Sequence, residues 1–177
     1  MMQWVFYVQE GRMKYFSELV KKIDFTKIPL DLIHSFSKIG DFSELPFEEF
    51  SVLLDQYQTN PSSSEFEELL LDIVTQWLYY AREVRMKYFH CLISKVNFKN
   101  ISVDHFHSLS KGGHFLELPF KEFCILLDQY QASVFLSEFE RILFDTIMRW
   151  IHHAHEERLY SSELVKRVNF DNISPEY

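Results

Sequence analysis

An all-α chain, built as antiparallel helix hairpins in two stacked repeats behind a partial N-terminal copy, is what three features of the sequence predict. The first is repetition: the stretch from Ser64 to Arg85 returns almost whole at Ser137 to Arg158. Trp77 recurs at Trp150 and Arg85 at Arg158, and Trp4 and Arg12 foreshadow them at the same spacing of 73 residues. A fixed period of this kind means one supersecondary unit laid beside its copies. The second is the spacing of the apolar residues, which recur at i, i+3, i+4 and i+7 rather than in alternation. The third is the scarcity of breakers, with Gly 4 and Pro 5 in 177 residues, too few for a chain of many short strands and turns. The period divides the chain into residues 1–11, the end of a long helix; 12–84, a first repeat; 85–157, a second; and 158–177, the start of a third.

Residues 1–10 correspond to the second half of the long helix, so the chain opens inside a repeat and is expected to be either a truncated product or a piece of a longer protein. From Arg12 onward, Met13, Phe16, Leu19, Val20 and Ile23 make one stripe of a helix ending near Asp24. Its second copy carries Met86, Phe89, Leu92, Ile93 and Val96, and its third Leu159, Leu164, Val165 and Val168. Because Phe98 maps to Phe170, the third copy has lost one residue. Pro29 suits the head of a two-turn helix over Leu30 to Phe36, and its counterpart starts at Ser102, an N-cap residue type. Gly40 and the pair Gly112-Gly113 interrupt the chain. Pro46 and Pro119 then head helices whose first turns hold Glu48, Glu49 and Glu122, where negative charge is favoured. The buried stripe there is Phe47, Phe50, Leu53, Leu54 and Tyr57, closed by the repeated Leu-Leu-Asp-Gln-Tyr-Gln of 53–58 and 126–131.

The connection 59–63 is the most loop-like part of the chain and differs from its counterpart 132–136. Asn60, Pro61, Val134 and Phe135 are therefore candidate partner-facing positions, since loops that vary between copies are where function can differ. The long helix begins at Ser64-Glu-Phe-Glu67 and again at Ser137-Glu-Phe-Glu140, the pattern of a capping box. Phe66, Leu69, Leu70, Ile73, Val74, Trp77 and Ala81 trace its broad apolar face, and each large member contributes roughly 1.5–3 kcal/mol when buried. So short a link as Arg82 to Val84 makes the following helix fold back antiparallel.

Taken together, Glu67, Trp77, Arg85, Phe89, Leu92, Ile93, Val96 and Ile101-Ser102 resemble the BACK domain, the helical module that lies between a BTB domain and Kelch repeats. The last copy is closest to that pattern, with Trp150-Ile151, Arg158, Leu164-Val165, Val168 and then Ile173-Ser-Pro-Glu-Tyr177. The resemblance covers nearly the whole chain as tandem copies. It departs at Asp24, Asn97 and Asn169, where the family usually has arginine after the valine of the second helix. BTB-like strands and Kelch-like signatures are not found in the sequence, so cullin binding and propeller-based capture do not carry over directly. What the resemblance implies is a protein–protein interaction module of cullin-RING ubiquitin-ligase adaptor biology, with BTB or cullin-type proteins as partners. The structural anchors expected are Glu67, Trp77, Arg85, Glu140, Trp150 and Arg158.

Asp and Glu outnumber Lys and Arg 26 to 18, for a net charge of −8, which argues against nucleic acid. No apolar run approaches a bilayer span and the N-terminus lacks a basic leader, so the membrane is not an expected partner and the cytoplasm, with the nucleus as alternative, is the expected location. Cys91 and Cys124 fall at unmatched places in their repeats and read as buried free thiols of a reducing compartment. His152, His153 and His155 beside Glu156 and Glu157 read as a solvated helix end and not as a metal site, because the first repeat has Tyr79, Tyr80 and Arg82 there. His90, His105, His107 and His114 are scattered polar positions. The sequence has no phosphate loop, nucleophile elbow or recurring carboxylate pair, so no catalytic residue, cofactor or metal is expected. The expected function is a non-enzymatic rigid spacer. The alternative is a scaffold that self-associates by end-to-end docking of repeats into a homo-oligomer.

Overall fold

A computed structural model describes residues 15–38, 41–58, 63–132, 137–153 and 158–173. Among these residues every regular element is an α-helix or a short 3-10 helix, so the all-α reading stands. None of the described helices is long and apolar enough to cross a membrane. The chain divides into two compact units, Met1–Asn97 and Phe98–Tyr177. That division has a different phase from 12–84 and 85–157: it keeps the long helix and the helix that folds back on it in one unit.

The first unit holds α1 (Phe16–Val20), a 3-10 turn at Phe25–Lys27, α2 (Leu30–Lys38), a second at Asp41–Glu44, and α3 (Phe47–Tyr57). It continues with α4 (Ser64–Tyr80), α5 (Arg82–Arg85), a third 3-10 turn at Met86–Tyr88 and α6 (Phe89–Ile93). The helix expected to run on to Asp24 stops at Val20, in a turn closed by the Lys22 and Ile23 amides on the Leu19 and Val20 carbonyls. Pro46 stands one place before the first helical residue of α3, its carbonyl accepting from the Phe50 amide at 2.9 Å. A proline there loses nothing, because the amide it lacks is one that a helix start leaves unpaired.

The capping box is shifted. Ser63, not Ser64, caps α4: its hydroxyl accepts from the Phe66 amide at 3.2 Å. Glu67 is thereby moved out of the first turn's reciprocal position and is 5% exposed in the unit's interior. Phe66, Leu70, Ile73, Val74, Trp77 and Leu78 of the same helix are buried with it.

The second unit repeats the plan with a 3-10 turn at Phe98–Asn100, α7 (Val103–Lys111), α8 (Phe120–Gln131), α9 (Ser137–His153), a turn at Arg158–Tyr160, α10 (Ser161–Val165) and a last turn at Phe170–Asn172. Ser102 caps α7 as expected, accepting from the His105 amide at 3.2 Å. After α7 the chain turns through Gly113, which has φ 86°, a conformation that a Cβ disfavours. Phe123, Leu126, Leu127 and Tyr130 of α8 are buried, as are Ile142, Leu143, Ile147 and Trp150 of α9, with Phe123 stacked on Trp150.

The cysteines depart from expectation. Both are free thiols, but Cys91 is exposed and Cys124 only half-buried. Cys91 lies on the outer side of α6 while Phe89, Leu92 and Ile93 take the inner one. Partial burial raises the Cys124 thiol above its ordinary pKa, which keeps it protonated.

One buried position of the second unit is mismatched. Thr146 is fully buried and its hydroxyl has no hydrogen-bond partner among the described residues, whereas the first unit has the apolar Ile73 at the corresponding place. Thr146→Val is expected to raise the stability of the second unit by about 1 kcal/mol, because it removes an unsatisfied polar group without changing the shape. Urea unfolding monitored by circular dichroism checks this, and a less stable variant would show that the hydroxyl finds an acceptor.

Candidate functional site

Trp77 enters the core because it sits late on the apolar face of α4, where α3 lies against it. Its ring stacks on Phe50, with centroids 4.7 Å apart and planes 6° from parallel, and its indole N–H donates to the Leu45 carbonyl at 2.8 Å. That carbonyl stands just before Pro46, where no following helical amide reaches it. Trp150 repeats the arrangement, stacked on Phe123 at 5.0 Å and donating to the Leu118 carbonyl at 2.9 Å. Both tryptophans are buried, so their environments match.

Arg85, the last residue of α5, folds back over this junction. One guanidinium nitrogen donates to the Ser43 carbonyl at 2.7 Å and the Trp77 carbonyl at 2.8 Å. The other approaches the Leu45 carbonyl at 3.5 Å, and the carbon between them lies 4.1 Å from the centre of the Trp77 ring. Burial pulls the guanidinium below its ordinary pKa, partly offset by Tyr80, yet arginine stays charged well above neutrality. Arg85 thus closes the C-terminal end of α4, where unpaired carbonyls accumulate negative partial charge. Arg158 opens the turn Arg158–Tyr160, the place held by Met86 in the first unit; its side chain lies outside the described residues.

Tyr88 stacks on Phe47 at 3.8 Å and Tyr160 on Phe120 at 4.2 Å. These tyrosines are 72 residues apart whereas the tryptophans are 73 apart, so the residue lost from the third copy falls between Trp150 and Tyr160.

At the opposite end of α4, the Glu67 carboxylate accepts the backbone N–H of Asn97 at 2.9 Å. Glu140 does the same for Asn169, also at 2.9 Å. With Trp77 beside Tyr88 at one end and Glu67 beside Asn97 at the other, α4 and α6 run antiparallel, although the connection is longer than the expected Arg82 to Val84 and holds α5 and the turn Met86–Tyr88. Removing the carboxylate in Glu67→Ala is expected to cost about 1.5–3 kcal/mol, the range for a hydrogen bond to a charged group. Glu140→Ala should cost less, because Glu140 is only half-buried. Equal and negligible losses in urea unfolding would show that neither carboxylate braces its hairpin.

The sequence reading missed a third repeated brace. Lys95 pairs with Asp55, and Arg167 with Asp128. The Gln58 side chain donates to the Lys95 carbonyl at 2.5 Å and Gln131 to the Arg167 carbonyl at 2.8 Å. The signal was present in the repeated Leu-Leu-Asp-Gln-Tyr-Gln, whose Asp and Gln have no reason to recur if the motif only closes an apolar stripe. Asn60, Pro61, Val134 and Phe135 lie outside the described residues, as does His155. His152 and His153 are exposed at the end of α9, and among the described residues no three His, Cys, Asp or Glu side chains converge as metal ligands.

What the site does chemically is hold: every anchor described donates or accepts within its own unit. The family model described as BACK, BTB And C-terminal Kelch, matches the chain twice, over residues 31–106 and 98–177. No curated protein matches the chain, and neither does any solved structure.

Proposed function

Because the chain belongs to the BACK family, we propose that it is a non-enzymatic protein–protein interaction module that holds its partners at a set distance and angle. The setting is that of BTB and Kelch adaptors of cullin-RING ubiquitin ligases, in the cytoplasm or nucleus. The observation that carries this reading is the internal use of the repeated polar groups. The indole of Trp77, the Arg85 guanidinium, the Glu67 carboxylate and the Asp55–Lys95 pair each tie a helix to a turn or connection distant in the sequence of the same unit. Such cross-braces resist bending of the hairpins, which is what a spacer requires, and they leave these groups committed to structure instead of to a substrate.

The test compares the intact chain, as bait in a cell lysate, with versions whose 59–63 or 132–136 loop is replaced. Recovery of BTB or cullin proteins by the intact chain, reduced by a loop replacement, is the expected result. Recovery no better than from bare resin would sink the adaptor reading. Light scattering during size-exclusion chromatography is expected to give a monomer at all practical concentrations, and a mass that grows with concentration would favour the self-associating scaffold.

A further inference from the structure

The second unit carries an open groove of about 500 Å³, lined by Leu116, Asp145, Met148, Arg149, His152 and His153. Five of these residues lie at helical spacing along the outer side of α9, so the groove extends over roughly 12 Å of helix. Its floor is apolar, with Met148 44% exposed and Leu116 half-buried. Its surroundings are cationic. Lys111 and Arg141 act with Arg149 on the neighbouring His107, with Asp145 the one opposing charge. Burial first, and these cations after it, hold His107 below its ordinary pKa.

The other unit shows that the fold does not require this chemistry. At the corresponding places it has Ser43 and Thr75, both buried, with Glu68 in place of Arg141, Gln76 in place of Arg149, and Tyr79 and Tyr80 in place of the two histidines. The first copy therefore has small polar residues there, beside the Arg85 guanidinium that donates to Ser43 and lies 5.3 Å from the Tyr80 ring centre, and keeps a lysine, Lys38, at the place of Lys111, while the second presents a thioether and an isobutyl group under a basic rim. In a chain of net charge −8, a local cluster of this sign favours an occupant of opposite charge. The exposed apolar floor adds a requirement for an apolar anchor.

We infer that the α9 groove of the second unit is a docking site for an acidic protein segment that seats an apolar side chain over Leu116 and Met148, with carboxylates toward Arg149, His152 and His153. Asp145 at one end makes the groove directional, because a carboxylate there is repelled. The inference rests on the reading of the chain as an interaction module and names the class of partner for this one surface.

Fluorescence anisotropy of the full chain with a short labelled peptide of repeated Glu-Glu-Leu tests it. Saturable binding that weakens as salt rises is expected, with affinity lowered roughly tenfold by the charge reversal Arg149→Glu. His153→Glu, read separately, should weaken binding in the same direction, and both positions are exposed, so neither change burdens the core. Gln76→Glu, the matching position of the first unit, should leave affinity unchanged. The inference is overturned if the Glu-Glu-Leu peptide does not bind, if repeated Gln-Gln-Leu or a single-stranded oligonucleotide binds as tightly, or if Arg149→Glu binds like the parent chain. Any of these leaves the module reading to be judged by its own recovery experiment.

Discussion

Trp77→Ala is expected to cost about 3–5 kcal/mol of stability, the range for removing a large aromatic side chain from a core. Three losses coincide there. The ring is 1% exposed and stacked on Phe50, so its removal leaves a cavity that α3 and α4 cannot both close. The Leu45 carbonyl loses its 2.8 Å donor, and the Arg85 guanidinium loses the surface on which it lies. Trp150→Ala should fall in the same range, because Trp150 is buried, stacked on Phe123 and bonded to Leu118 in the same way.

Trp77→Phe separates the terms. It keeps most of the apolar area and the stack but not the indole donor, so about 1–3 kcal/mol should be lost. Urea unfolding followed by circular dichroism measures all three variants. A loss under about 0.5 kcal/mol for Trp77→Ala would mark the ring as a surface feature and take away the centre of the unit.

The two tryptophans were legible in the sequence because a period of helical length carried them with the apolar stripe, and any residue locked to that stripe faces inward. Polar anchors were legible only as recurrences. Glu67 reads naturally as half of a capping box, but one more serine upstream, Ser63, supplies the cap. The carboxylate instead reaches Asn97, 30 residues on, and no local pattern foretells which distant amide a buried carboxylate meets. Tyr88 and Tyr160 escaped notice for a different reason: the single-residue loss before Tyr160 takes them out of the 73-residue register, although their stacks on Phe47 and Phe120 are nearly the same. The α9 groove was hidden by similarity itself. Aligning the copies draws attention to what is shared, and the groove is made of residues that differ.

Arg85→Ala is expected to cost about 1.5–3 kcal/mol, since it strips a charged donor from two backbone carbonyls at 2.7 and 2.8 Å. Those carbonyls belong to Ser43 and Trp77, which lie on different elements, so the loss unties the turn Asp41–Glu44 from the end of α4 and does more than unmake one bond. Arg85→Lys should recover only part of it. An ammonium carries the charge but lacks the flat face that lies 4.1 Å from the Trp77 ring centre and the fixed fork that reaches two acceptors at once. Combining Arg85→Ala with Trp77→Ala tests the junction as a unit. The two changes share the Leu45 carbonyl and the ring contact, so their joint cost should fall short of the sum by about 0.5–3 kcal/mol. Additive losses, or a lysine variant as stable as the parent, would mean that Arg85 acts as a plain positive charge near a helix end. The repeated position would then be explained by the α4 dipole alone.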